Sequence, residues 1–127
     1  MTRRRITQII IGAVGLHSLV LGTIMLLTPI PFLNWMGWSY HGPVFFPSQS
    51  GIYLLILGAA YFAGIFHRPF AWFLVTSKAI AVLFLLGHAM ANTAPWPMMI
   101  QAALLDGLMG IAVTVALIAD RDTPNLD

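Results

Sequence analysis

Two oppositely charged residues, Lys78 and Asp106, lie inside long apolar stretches of the sequence and are the first candidates for chemistry. A lysine near the centre of a membrane span costs roughly 2.5–3.5 kcal/mol on insertion scales, so a chain that carries one usually supplies a partner. Asp106 is the only acidic residue in any other long apolar stretch. We therefore predict that the two side chains meet inside the protein and that any chemistry takes place beside them.

Two histidines are predicted to lie at a comparable depth. The rise of a helix per residue places His17 near the middle of the first apolar stretch and His88 about one and a half turns outward of Asp106. Intramembrane ionisable residues often mark ligand pockets or proton paths. We therefore interpret the depth range shared by these two histidines, Lys78 and Asp106 as a central polar pocket. The polar side chains predicted to support it are Ser18, Thr23, Tyr53, Ser77 and Gln101.

Two structural interpretations compete with a functional one. The ion pair could serve only to fix helix register, with the histidines hydrogen-bonded to backbone or hydroxyl groups. Alternatively, Lys78 could extend to the headgroups and leave Asp106 protonated. His17 and His88 are the only histidines that could reach one metal ion, and they are offset by about 10 Å in depth. The sequence therefore predicts no metal site, and it identifies no cofactor.

The composition places the chain in the membrane class. Hydrophobic residues make up 59% of the 127 residues and charged residues only 8%, whereas soluble domains carry about 25% charged residues. Four apolar stretches approach the roughly 20 residues that a helix needs to cross a bilayer. We predict a single transmembrane domain, residues 1–127, with helices over approximately 6–28, 50–66, 70–91 and 97–119.

The cations predict the topology. With the N-terminus in the cytoplasm, every arginine falls on the cytoplasmic side, and the two outer loops contain no lysine or arginine. This positive-inside pattern predicts cytoplasmic N- and C-termini in a bacterial inner membrane. The short connections favour an all-α, antiparallel four-helix bundle. The arginines are Arg3, Arg4, Arg5, Arg68 and Arg121.

An aromatic outer loop is predicted between the first and second helices. Residues 30–49 carry Trp35, Trp38, Phe45 and Phe46 among prolines and glycines, a composition typical of segments that lie at headgroup depth. Ser48 or Ser50 is expected to cap the N-terminus of the helix that follows.

Several function classes are excluded by missing residue types. Cysteine is absent, which removes disulfides, thiol redox chemistry and thiolate metal sites. There is no nucleophile motif and no glycine-rich phosphate loop. Basic and aromatic residues do not interleave along a surface, so we expect no nucleic-acid partner. The lipid bilayer is the one partner that the composition predicts.

Scattered positions of the chain resemble the small four-helix bacterial membrane proteins of the DoxX-like group. Those positions are Leu27-Thr28-Pro29, Ser50-Gly51-Ile52-Tyr53-Leu54, Leu57-Gly58, Arg68, Lys78 and Asp106-Gly107. Some members of this group are associated with quinone-linked oxidation as accessory membrane subunits. The resemblance therefore implies an association with quinone-linked oxidation. It supplies no catalytic motif.

The function predicted from these observations is that of an accessory membrane protein whose central Lys–Asp pocket binds a hydrophobic, quinone-like molecule. Two alternatives stay open. One is a proton-coupled small-molecule transporter. The other is a small membrane enzyme acting on a lipid or isoprenoid, with Lys78, Asp106 and His88 as acid and base groups. The sequence leaves open whether the chain forms a homo-oligomer or joins a larger membrane complex. It does not identify the small molecule.

Overall fold

A computed structural model describes residues 2–121 of the chain; Met1 and residues 122–127 of the predicted domain lie outside the described residues. The described part contains five helices and no strand. They are α1 (Arg3–Leu27), α2 (Pro29–Trp35), α3 (Phe45–Ala63), α4 (Arg68–Met90) and α5 (Trp96–Arg121). All except α2 are long and apolar enough to cross a bilayer. For the described residues, the predictions of an all-helical chain and of four helices able to cross a membrane by length and composition are confirmed.

Large apolar side chains cover the outside of these helices. Ile9, Phe84 and Leu108 are each more than half exposed, and many others on the four long helices are similarly open. An apolar surface of this extent is far larger than the patches that soluble monomers expose. An apolar surface of this kind is suited to contact with lipid, as expected for a multi-pass membrane protein.

The four long helices form a bundle made of two tight pairs. α1 packs most extensively on α3, and α4 on α5; lighter contacts join α1 to α5 and α3 to α4. The partners within a pair run in opposite directions. The start of α1 meets the residues after α3, where Gln8 Nε2 donates to the Ile65 carbonyl at 3.3 Å, and Gly22 near the other end lies against Gly51.

One hydrophobic core joins the four helices. Ile11 of α1, Leu74 of α4 and Val113 of α5 are at most 1% exposed, and Tyr61 of α3 packs with them at 3%. Since every long helix contributes to this cluster, the two pairs are held together by apolar packing as well as by polar contacts.

The short helix α2 occupies the start of the predicted aromatic outer loop. The Thr28 amide closes α1 by donating to the Ile24 carbonyl at 2.8 Å, and Pro29 then occupies the first turn of α2. A proline is tolerated there because the amide it lacks would have no partner inside the helix. The proline that ends α1 therefore also begins the next helix.

The prediction that Ser48 or Ser50 caps the second span is wrong, because α3 begins earlier, at Phe45, with Val44 as N-cap. Ser50 lies inside the helix, where its hydroxyl donates to the Phe46 carbonyl at 3.1 Å. Pro47 occupies the first turn and has no amide hydrogen that needs a cap. The helix therefore starts without a side-chain cap.

The aromatic segment lies at the end of the bundle opposite the arginines. Trp35, Phe45 and Trp96 are each more than half exposed there. Gly37 adopts φ 87°, a left-handed conformation that favours glycine, and lies against Pro95 of the other loop at this end. The two loops thus form one exposed aromatic end.

Candidate functional site

Lys78 of α4 and Asp106 of α5 form an ion pair inside the bundle. The Lys78 Nζ and Asp106 Oδ1 atoms are 2.5 Å apart, and the two side chains are only 8% and 18% exposed. The predicted pair is therefore present. The alternative in which Lys78 extends to the headgroups does not hold, since its ammonium group is bonded to the carboxylate.

Both charges lie on inward faces because of their helical spacing. Lys78 follows Ala71 and Leu74, which are fully buried, at intervals of seven and four residues. Asp106 follows the buried Ala103 by three residues. Residues spaced by three, four and seven share one face of a helix, so apolar packing on that face turns both charged side chains away from lipid.

Tyr61 of α3 completes the surroundings of the lysine. The Lys78 ammonium lies 6.0 Å from the centre of the Tyr61 ring, a cation–π distance. The Tyr61 and Ser77 hydroxyl oxygens are 2.6 Å apart, and Ser77 donates to the Leu74 carbonyl at 2.9 Å. A serine hydroxyl has one hydrogen, so Tyr61 is the donor to Ser77.

Tyr61 was not among the predicted site residues, whereas Ser77 was. A signal for Tyr61 exists in the sequence. It lies three residues after Gly58, and both residues are buried on the inward face of α3. An apolar stretch with one inward tyrosine indicates a polar contact inside the bundle, because a buried tyrosine hydroxyl usually finds a hydrogen-bond partner.

His17 brings the first helix into the site. It is half-buried on α1 and lies within electrostatic range of both Lys78 and Asp106. Its Nδ1 atom is buried and has no hydrogen-bond partner among residues 2–121. The central polar cluster therefore draws on all four long helices, and its members are His17, Tyr61, Ser77, Lys78 and Asp106.

Three other predicted site residues lie elsewhere. His88 is near the end of α4, where its Nδ1 is 2.6 Å from the Thr93 hydroxyl oxygen. Tyr53 is 58% exposed, and its hydroxyl accepts a hydrogen bond from Gln49 at 3.4 Å. Gln101 is exposed on α5. The structure does not bring these three side chains to the ion pair, because helical rise predicts depth but not the direction in which a residue faces.

A groove of about 400 Å³ between α4 and α5 leads to the ion pair. Lys78, Asp106 and Thr114 are its polar residues, and the Thr114 hydroxyl is already used in a 2.8 Å bond to the Gly110 carbonyl. The rest of the lining is Val75, Ala79, Val82, Leu83, Gly107, Gly110 and Ile111. Since Leu83 and Ile111 are well exposed, the groove opens on the lipid-facing surface.

Gly107 borders the groove without a close contact to the neighbouring helix. A methyl group built on Gly107 would meet nothing closer than Val82 Cγ2 at 3.7 Å, an ordinary contact distance. Gly107 is therefore not a site of close helix packing.

Neither metal ligation nor thiol chemistry has a geometric basis in the described part of the chain. Within residues 2–121, no three His, Asp, Glu or Cys side chains are close enough to hold a metal ion. The chemistry available at the groove is that of one ammonium group, one carboxylate and their hydroxyl and imidazole neighbours.

A second polar region lies at the arginine-bearing end of the bundle. Arg3 and Arg68 donate to backbone carbonyls in the last turns of α5, at Ala119 (3.3 Å) and Leu117 (2.8 Å). Cations stabilise a helix C-terminus because the carbonyls there carry partial negative charge. Arg121 stacks at 5.4 Å from the Trp72 ring.

Comparison with known proteins provides no relative from which a role could be transferred. No protein-family model, curated protein or solved structure matches the chain. The resemblance to the DoxX-like group therefore stays a prediction from scattered residues. The functional argument depends on the side chains of the site itself.

Proposed function

We propose that this chain is a small accessory membrane protein that binds a quinone-like molecule in the groove between α4 and α5. The observation that carries the proposal is the position of the ion pair. Lys78 and Asp106 lie in a groove of about 400 Å³ whose other walls are almost entirely apolar. Ligand sites of this kind combine an apolar lining with a few convergent polar groups and occupy about 300–1,000 Å³.

The two charged groups suit a carbonyl-bearing ring. A lysine ammonium has three N–H donors, and one of them is directed to Asp106. A remaining donor can bind a quinone carbonyl, while the carboxylate keeps the ammonium charged and in place. The apolar walls, which include Val75, Val82 and Ile111, would hold the ring face and the start of an isoprenoid tail.

The test is retention and binding of an apolar carbonyl compound. The full chain would be purified from native membranes in mild detergent, and co-purifying isoprenoid quinones and lipids identified by mass spectrometry. The same preparation would then be titrated with decyl-benzoquinone. We expect a quinone-like molecule to co-purify with the wild-type chain and decyl-benzoquinone to displace it.

A pair of matched variants separates the groove from general lipid solubility. Ala79→Phe fills the groove at an exposed alanine of its wall, and Ala59→Phe makes the same change at an exposed alanine of α3. We expect about tenfold weaker binding to Ala79→Phe and unchanged binding to Ala59→Phe. Equal binding to both variants would contradict the proposal, since the ligand would then be dissolved in the detergent belt.

We also propose an N-in, C-in antiparallel four-helix bundle in a bacterial inner membrane, in keeping with an accessory role of the DoxX-like kind. The support is that every arginine lies at one end of the bundle. The chain has no cysteine, so single cysteines report topology directly. In intact cells, a membrane-impermeant maleimide should label Ser39→Cys and spare His67→Cys. The reverse labelling pattern would contradict the proposal and show that both termini lie outside the cytoplasm.

A proton-coupled transporter is the second candidate, because His17 offers a buried ring nitrogen that has no hydrogen-bond partner among residues 2–121 and lies within electrostatic range of the ion pair. A chain of titratable groups of this kind can pass a proton within a membrane. Substrate-dependent proton flux in liposomes, lost in Asp106→Asn while helicity is retained, would favour the transporter. Quinone binding without flux would favour the accessory protein. An enzyme that uses His88 with the ion pair has less support, because His88 is bonded to Thr93 away from the cluster.

A further inference from the structure

A second groove lies between α1 and α5 at the arginine-bearing end, and it shares no described lining residue with the proposed quinone-like site. Its volume is about 820 Å³, and Ile6, Ile10, Val115 and Ile118 are among the side chains that form its walls. Among residues 2–121, Arg3 is the only charged residue of the lining. The groove thus joins an apolar channel to one guanidinium group.

The floor of the groove has no spare hydrogen-bond donor. The Thr7 hydroxyl lies 3.1 Å from the Arg3 carbonyl and 3.2 Å from the Ala116 carbonyl, so its single hydrogen is used within the protein. Among the described residues, a ligand in the channel therefore meets mainly apolar atoms until it reaches Arg3. An acyl chain satisfies this lining, whereas a soluble anion does not.

The mouth of the groove carries a strong positive charge. Arg3 uses one N–H in its 3.3 Å bond to Ala119 and keeps other donors of its guanidinium group available. Arg4 and Arg5 are exposed next to it, and Asp120 is the one acidic residue of the described chain at this end. Within residues 2–121 the only ion pair is that between Lys78 and Asp106, so no carboxylate there neutralises these arginines.

We infer that the groove between α1 and α5 is a binding site for one anionic phospholipid, with an acyl chain against Ile6 and Val115 and the phosphate on Arg3. Guanidinium groups bind phosphate oxygens through paired N–H donors, which makes arginine the suitable residue at such a mouth. A ligand that is both acylated and anionic is the one chemistry that matches the lining and the charge together.

The experiment compares phospholipids of opposite headgroup type. The full chain would be reconstituted with equal amounts of dioleoylphosphatidylglycerol and dioleoylphosphatidylcholine, extracted in mild detergent, and examined by native mass spectrometry. We expect one phosphatidylglycerol molecule to stay bound and phosphatidylcholine to be lost. Equal retention of the two lipids, or a bound polypeptide in place of a lipid, would overturn the inference.

Two pairs of variants distinguish a defined site from a diffuse surface potential. Arg3→Gln should lower phosphatidylglycerol retention about tenfold, because it removes the charge-assisted hydrogen bonds to the phosphate. Arg4→Gln removes the same charge from a neighbouring exposed residue outside the lining, where no bond to the phosphate is lost and salt screens the charge, and should change retention by less than about twofold. Equal loss in both variants would overturn the inference, because it would indicate attraction to the surface as a whole.

The second pair leaves the charge unchanged. Ala112→Phe fills the groove from an exposed position of its wall, and Leu108→Phe is its control on an exposed face of α5 outside both grooves. Only Ala112→Phe should lose phosphatidylglycerol. Retention by Ala112→Phe at the wild-type level would contradict the inference even if Arg3→Gln failed to fold. Binding of decyl-benzoquinone should be the same in all four variants, which keeps this site separate from the first.

Discussion

The two tight helix pairs of this bundle are built in different ways. Between α1 and α3, the backbones touch at glycines. A methyl group on Gly22 would lie 2.9 Å from the Gly51 carbonyl oxygen, and one on Gly58 would lie 2.7 Å from Leu19. Between α4 and α5, a methyl group on Gly107 or Gly110 would make only an ordinary contact, at 3.7 Å from Val82 or 3.4 Å from Lys78, and an ion pair joins the helices.

We therefore interpret the α1–α3 pair as a structural scaffold and the α4–α5 pair as the part that carries the candidate site. In a membrane, helices associate through close packing of small residues and through polar contacts, because lipid supplies no hydrophobic force between them. The α1–α3 pair uses the first means, with its backbones in direct contact at Gly22 and Gly51. The α4–α5 pair uses the second means and keeps a groove beside its charged groups. The comparison predicts which substitutions each pair tolerates.

Neutralising the carboxylate should have the largest effect on stability. Asp106→Asn leaves the Lys78 charge buried without a counter-charge, and we expect a loss of about 3–5 kcal/mol in the free energy of unfolding. Adding Lys78→Met to the same chain should recover much of that loss. Unfolding would be followed by circular dichroism in detergent. A double variant as unstable as the single one would show that the pair does not hold α4 to α5.

A methyl group at the α1–α3 contact should have the next largest effect. In Gly51→Ala the new carbon would lie 2.6 Å from the Leu26 amide nitrogen and 2.8 Å from the Gly22 carbonyl oxygen. Both are backbone atoms, so the helices must separate, at a cost of about 1–3 kcal/mol. The same unfolding assay would measure it. A variant as stable as the wild type would remove the distinction between the two pairs.

Removing the Tyr61 hydroxyl should cost less. Tyr61→Phe loses the bond to Ser77 and keeps the ring beside Lys78, so we expect a loss of about 1 kcal/mol. Tyr53→Phe removes a hydroxyl from an exposed tyrosine of the same helix and should change stability by less than about 0.5 kcal/mol. Equal effects in the two variants would indicate that the Tyr61–Ser77 contact contributes nothing to the cluster.

The smallest effect is expected for a methyl group in the groove. In Gly107→Ala the new carbon makes only an ordinary contact with Val82, and alanine is the better helix former by about 0.8–1 kcal/mol. Stability should therefore be unchanged or slightly higher, in contrast to Gly51→Ala. Destabilisation of more than about 1 kcal/mol would show that the α4–α5 contact is packed as tightly as the α1–α3 contact.

Some features of the site followed from residue types alone. A span that carries one lysine needs a counter-charge, and the sequence offers one carboxylate in a comparable position. The pairing of Lys78 with Asp106 was therefore predictable without coordinates. His17, which the sequence also proposed for the pocket, lies within electrostatic range of both charges.

Other features could not be predicted without knowing the direction in which each side chain faces from its helix. His88, Tyr53 and Gln101 share the predicted depth range, yet they lie near Thr93, beside Gln49 or on the exposed face of α5. Depth comes from counting residues along a helix, whereas direction depends on which face each helix turns to its neighbours. Tyr61 was missed for the same reason, although its spacing from Gly58 carries the signal.

The sequence by itself determined the number of spans and the pairing of their two charges, because hydropathy and the cost of an unpaired ion in lipid act on residue types whatever their neighbours. Only the tertiary structure decided that one helix pair closes at its glycines while the other leaves a groove at its ion pair. That outcome depends on the rotation of each helix against its neighbour, which is fixed by packing over the whole bundle and not by any single stretch of the chain.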